Sequence, residues 1–182
     1  MMSTLPLFLL LVGAATTGCR KERPPPDPTV LIATYKRQLK NDPSNIEVRL
    51  SLGRAYADRE MLREAVREFQ RAVELDSTHS EAHRELGVAL RKMRRHEEAL
   101  RAVQKAVELD SLSAGAYNSL GLIYYQMGLK EKAVEAFGKA VRIDPGYSEA
   151  HYNLGAVYRD VGDNERASRH WQQYRELQGR QE

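Results

Sequence analysis

The sequence predicts an all-α solenoid, a stack of helix-turn-helix units, and three observations carry that reading. Leu-Gly recurs at Leu52-Gly53, Leu86-Gly87, Leu120-Gly121 and Leu154-Gly155, so successive glycines stand 34 residues apart. A fixed period of that length belongs to stacked supersecondary units, each of which buries its apolar face only against a neighbour. From Thr29 onward proline nearly vanishes and apolar residues fall at helical spacing. Cys19 is the only cysteine, so no disulfide closes within these 182 residues and the fold stands on packing alone.

The first element differs from the rest. Residues 1–18 contain the uncharged run Leu5–Thr17, shorter than the roughly 20 apolar residues of a membrane-spanning helix, and read as the apolar core of a signal peptide. Thr16-Thr17-Gly18-Cys19 resembles a bacterial lipobox, with Thr16 where an aliphatic residue is usual and no Lys or Arg in Met1–Thr4. The resemblance implies lipidation at Cys19 and a membrane-anchored location in the bacterial envelope, facing the periplasm. Arg20, standing where an Asp would signal retention, leans towards the outer membrane. A signal peptide with an incidental cysteine, hence a secreted or periplasmic protein, is the alternative. Residues 19–28 place four prolines in Arg20–Pro28, an extended polyproline tether.

Residues 29–45 carry Leu31, Tyr35 and Leu39 at helical spacing, then Asp42-Pro43; Pro43 falls in the column of Ser77 and Pro145. This segment reads as the second helix of a degenerate unit capping the stack. Four full units follow at 46–79, 80–113, 114–147 and 148–181. Counting from each glycine, position +3 holds Tyr56, Leu90, Tyr124 and Tyr158, and position +12 holds Ala65, Ala99, Ala133 and Ala167. Position +16 holds Phe69, Val103, Phe137 and Trp171, and +19 holds Ala72, Ala106, Ala140 and Tyr174. Small residues opposite one bulky side chain are what a close helix crossing needs. Ser44-x-x-Glu47 and Thr78-x-x-Glu81 read as capping boxes. Gly128 and Gly162 read as left-handed helix ends, replaced by Glu60 and Arg94 in the first two units. In the last unit Ser168 and Arg175 stand where earlier units have Val, the polar outer face of a terminal repeat.

These columns resemble the tetratricopeptide repeat family over Ile46–Gln181. The resemblance implies a right-handed α-solenoid whose first helices line a concave groove that takes a protein or peptide segment. The residues it places in that groove are Leu50, Arg54, Arg84, Val88, Arg91, Lys92, Asn118, Leu122, Tyr125, Tyr152 and Arg159. The groove is expected to be basic near Arg84, Arg91 and Lys92, and apolar-aromatic near Leu122, Tyr125 and Tyr152. One subtype of the family grips C-terminal carboxylates with Lys and Asn, but Leu50 and Arg54, or Arg84 and Val88, occupy those positions here.

No chemistry competes with that reading. There is no Gly-rich phosphate loop and no G-x-S-x-G elbow, so no catalytic residue, cofactor or enzyme activity is expected. His79 and His83 have i,i+4 spacing but lack a third convergent ligand, and His83 and His151 share a framework column with Arg49 and Tyr117, so no metal is expected. Basic and acidic residues number 28 and 25, a balance without the segregated basic bias of a nucleic-acid binder. The expected partners are a protein or peptide, a membrane through the anchor, and a second copy of the chain by self-association. The function expected is a lipid-anchored adaptor assisting assembly of a larger envelope complex such as a pilus, secretion or outer-membrane machine. A soluble interaction module and a ligand-binding accessory subunit of an enzyme are the alternatives.

Overall fold

The computed structural model of the chain describes residues 27–179. Cys19, the signal segment 1–18 and tether residues 19–26 lie outside the described residues. Among those described the fold is all-α, with nine helices: α1 (Pro28–Asn41), α2 (Ile46–Asp58), α3 (Leu62–Leu75), α4 (Ser80–Lys92), α5 (His96–Leu109), α6 (Ala114–Gln126), α7 (Lys130–Ile143), α8 (Ser148–Asp160) and α9 (Asn164–Gln178). None of them is long and apolar enough to cross a membrane.

Helices α2 to α9 form four hairpins, each packed on the next, and α1 lies on α2. The first helices α2, α4, α6 and α8 also touch one another in sequence, whereas among the described residues the second helices do not. Spacing that is closer along one row than the other bends the stack, with the first helices on the inner, concave side.

The glycine at each hairpin crossing is held by its partner's bulky residue. A Cβ on Gly53 would lie 2.4 Å from the Phe69 ring, on Gly121 2.6 Å from Phe137, and on Gly155 2.3 Å from Trp171. In the second unit the knob is only Val103: a Cβ on Gly87 would lie 2.3 Å from its Cγ2 and 3.1 Å from the Ala99 carbonyl oxygen. Phe69, Val103 and Phe137 are at most 1% exposed, so these crossings are the centre of each unit's core.

The turn inside each hairpin is the same in all four units. Glu60, Arg94, Gly128 and Gly162 adopt φ of 56°, 61°, 77° and 84°. In the first, the Met61 amide donates to the Tyr56 carbonyl (2.9 Å) and the Glu60 amide to that of Ala57 (3.1 Å), a Schellman motif. The other three repeat it, with Arg95 to Leu90, Leu129 to Tyr124 and Asp163 to Tyr158. Glu60 and Arg94 thus bear a left-handed conformation that glycine adopts without steric cost. Glu60→Gly and Arg94→Gly are each expected to raise the unfolding free energy by about 0.5–1 kcal/mol, the penalty on Cβ less glycine's extra chain entropy. Urea titration checks this; the 3.9 Å Glu60–Lys92 pair is exposed and its loss should not register.

The turns between units differ from expectation. Ser44 and Thr78 do not cap helices; their amides and hydroxyls donate to the carboxylates of Asp42 and Asp76. The N-caps fall one residue later, where Asn45 Oδ1 accepts from the Val48 amide (3.0 Å) and His79 Nδ1 from that of Ala82 (3.2 Å). An aspartate two residues earlier competes for the hydroxyl and wins, because its charged acceptor takes both the amide and the O–H. Asp110 and Asp144 make the corresponding amide bonds to Leu112 and Gly146. The Asp that closes each second helix is therefore the pivot of the turn.

At the far end of the described residues Ser168 and Arg175 are exposed. The face is not simply polar, however. Tyr152, Ser168, Trp171, Tyr174 and Arg175 bound a cleft of about 370 Å³, with the Tyr152 and Tyr174 rings 5.3 Å apart.

Candidate functional site

The inner face is built from four columns of first-helix residues, and the structure sorts them by depth. The column Leu50, Arg84, Asn118 and Tyr152 lies at the seam between neighbouring first helices. Leu50 is 0% exposed, so it belongs to the core and is withdrawn from the predicted groove. Asn118 is buried too, and its carbonyl oxygen accepts from the Asn153 amide (2.8 Å) across the seam. Tyr152 occupies the same position in the last unit and faces the terminal cleft. Sequence periodicity identifies a column but carries no information on how close the adjacent helix comes.

Arg54 and Arg84 are on the face but do not make it basic. Arg54 reaches across the seam, with Nε on Glu85 (2.7 Å) and Nη2 on Glu81 (2.7 Å). Arg84 binds Glu81 through Nε and Nη2 (both 2.7 Å) and Glu85 through Nη2 (2.9 Å). The hydrogen bonds it donates to Glu81 lead the effects that hold the Arg84 guanidinium well above its ordinary value. Burial works against the charge of Arg54, but Glu85 and then Glu81 more than offset it. Burial likewise pushes the Glu81 carboxyl up, yet the two arginines outweigh it and hold it below the usual carboxylate value. Two guanidiniums and two carboxylates thus neutralise one another. Sequence reasoning placed Glu81 only in a capping box and missed Glu85, although the offset of Glu85 from Arg54, one repeat less three residues, was there to be read.

Arg91, Lys92, Tyr125 and Arg159 stand at the turn end of the face. The Tyr125 hydroxyl donates to Asp160 of the next unit, which holds the phenol above and the carboxyl below their ordinary values. Lys130 Nζ adds a bond to the Asp160 carbonyl (3.0 Å). Tyr125 is therefore partly a tie between units. Arg159 is exposed, its guanidinium 5.5 Å from the centre of the Trp171 ring. Val88 is half-buried and borders the open face. Leu122 is half-buried and packs on the core cluster around Phe137. Lys92 is exposed.

His83 and His151 have structural work. His83 Nε2 donates to the Ser77 carbonyl (3.0 Å) and His151 Nε2 to that of Pro145 (3.2 Å). Arg49 does the same to Pro43 (2.6 Å), so this column ties α2, α4 and α8 to the turn preceding each. Among the described residues no three His, Cys, Asp or Glu side chains converge as metal ligands would.

Comparison with known proteins adds three findings. Models of the tetratricopeptide repeat match residues 50–114, 84–148 and 136–167. No curated protein matches the chain. Among solved structures, the chain is similar to one of MamA (35% identity, TM-score 0.69, covering 82% of this chain and 88% of that one). It is similar also to residues 41 to the end of MamA from Desulfovibrio magneticus RS-1 (28% identity, TM-score 0.71, 85% and 88% covered). YrrB, a TPR protein with an unusual peptide-binding site, is 27% identical with a TM-score of 0.63, 83% of this chain and 79% of that one being covered.

Proposed function

Because the chain belongs to the tetratricopeptide repeat family, whose arrays are scaffolds for protein interaction, we propose that it holds an extended segment of a partner protein along its first-helix face. The observation that carries this is the division of labour among columns. Residues at the crossings are consumed by stacking, while on the first helices Val88 stays half-buried and Lys92, Gln126 and Arg159 stay exposed. The peptide-binding site of YrrB supports a peptide as the class of occupant.

The setting we propose is a lipid-anchored adaptor of a bacterial envelope that assists assembly of a larger complex. Its support is the lipobox-like Thr16–Cys19 after an apolar run, and the polyproline tether that follows. Crosslinking and pull-down from membranes test the first part. Val88→Glu with Lys92→Glu is expected to reduce capture of the partner about tenfold, a loss of roughly 1.4 kcal/mol, with an unchanged melting temperature; undiminished capture refutes the site. Metabolic labelling with a fatty acid tests the second. Label that disappears in Cys19→Ser supports the anchor, and no label in the parent chain removes it, leaving a soluble exported module.

A further inference from the structure

The turn end of the face contains a cation that the fold leaves unpaired. Arg91 is half-buried between α4 and α6, and its Nε is withdrawn from water with no hydrogen-bond partner. Among the described residues no carboxylate lies within 4.0 Å of its guanidinium, in contrast to Arg54 and Arg84. It borders a half-open pocket of about 410 Å³ lined by Glu60, Arg91, Lys92, Arg94, His96 and Gln126. His96 Nδ1, in the same wall, is also buried and unpaired. Three cations thus face one carboxylate, and that one, Glu60, lies 3.9 Å from Lys92 Nζ.

The next unit pairs the residues at this place. Tyr125 occupies the column of Arg91 and finds an acceptor in Asp160, 35 residues on. The residue 35 on from Arg91 is Gln126, an amide where the next unit supplies the carboxylate of Asp160. We infer that the pocket beside Arg91 and Gln126 is a seat for the carboxylate of an acidic side chain on the partner segment. One half-buried guanidinium lacking one counter-charge calls for a monoanion. Its planar fork binds carboxylate through two parallel bonds, and the Gln126 amide and the flanking Lys92 and Arg94 can contribute further donors. Burial alone lowers the Arg91 guanidinium from its ordinary value, the signature of a charge taken from water without compensation.

The inference rests on the scaffold reading but can be tested apart from it, with a fluorescein-labelled hexaglutamate peptide followed by anisotropy at low salt. Arg91→Gln is expected to weaken binding about tenfold, as loss of one charge-assisted hydrogen-bond pair does, while Arg101→Gln on the outer helix α5 leaves it unchanged. Gln126→Asp should fill the seat from within, abolishing peptide binding and raising the melting temperature. Equal loss in the Arg91 and Arg101 variants would reduce the effect to diffuse charge and overturn the inference. So would tighter binding of inorganic phosphate than of peptide at Arg91, which would make the seat one for a phosphate. Peptide binding that depends on Arg91 in a chain that captures no protein from membranes would leave the seat standing and refute the scaffold. Capture lost in the Val88 and Lys92 variant but intact in Arg91→Gln would do the reverse.

Discussion

Phe137→Ala is expected to lower the unfolding free energy by about 3–5 kcal/mol, the cost of removing a buried aromatic ring and leaving its cavity. Phe137 is 1% exposed and fills the crossing of α6 and α7, over the glycine at 121. The reciprocal change makes the same point from the other side. Gly121→Ala should favour the helix by about 1 kcal/mol on propensity alone. In place it drives a methyl to 2.6 Å from the Phe137 ring, and overpacking of that kind costs about 1–3 kcal/mol, so the net effect is destabilising. The decisive measurement is the double variant Gly121→Ala with Phe137→Leu. If the crossing is a matched pair, its loss in urea unfolding will be smaller than the two single losses added. Strict additivity would show that ring and glycine do not oppose each other.

Glu85→Ala is expected to cost about 2 kcal/mol, in the range of a charge-assisted hydrogen bond lost from a shielded site. The Glu85 side chain is 12% exposed and accepts from both Arg54 and Arg84. Its removal leaves two guanidiniums to share Glu81, which is 38% exposed. Because Arg54 and Glu85 lie on different units, the loss falls on the coupling between α2 and α4, so unfolding should become less cooperative, the first unit melting ahead of the rest. The same network makes a prediction in pH. The Glu81 carboxyl is held below its ordinary value of 4.5 in the folded chain. Its contribution is therefore present above that value and lost as pH falls through the lower, folded one. Exposure screens the effect, so it should be a modest acid-side slope in stability that Glu81→Gln removes. An unchanged slope in that variant would assign the acid sensitivity elsewhere.

Much of this architecture was legible in the residues, for a reason specific to repeats. Gly53, Gly87, Gly121 and Gly155 recur with the bulky residue sixteen positions on, and a residue that must meet the same partner in every unit appears as a column. That Glu60 and Arg94 stand in the column of Gly128 and Gly162 was legible for the same reason, but not that they keep the same left-handed turn instead of reshaping it. What failed to show were competitions at a single place. Ser44 and Thr78 carry the spacing of a capping box, yet Asp42 and Asp76 take their hydroxyls, and Asn45 and His79 cap instead.

The site divides along the same line. Sequence alone determined that the chain is a helical stack with a 34-residue unit, and that the first-helix columns are where stacking leaves residues to spare. Those facts depend on contacts at constant offsets, which any periodic sequence displays. Only the tertiary structure decided which of the spare residues are available: Leu50 and Asn118 are spent in the seam, Arg54 and Arg84 are neutralised by Glu81 and Glu85, and Arg91 is left without a counter-charge. Those outcomes turn on side-chain reach between neighbouring helices, a matter of ångströms across a seam, and a column of residue types does not record distance.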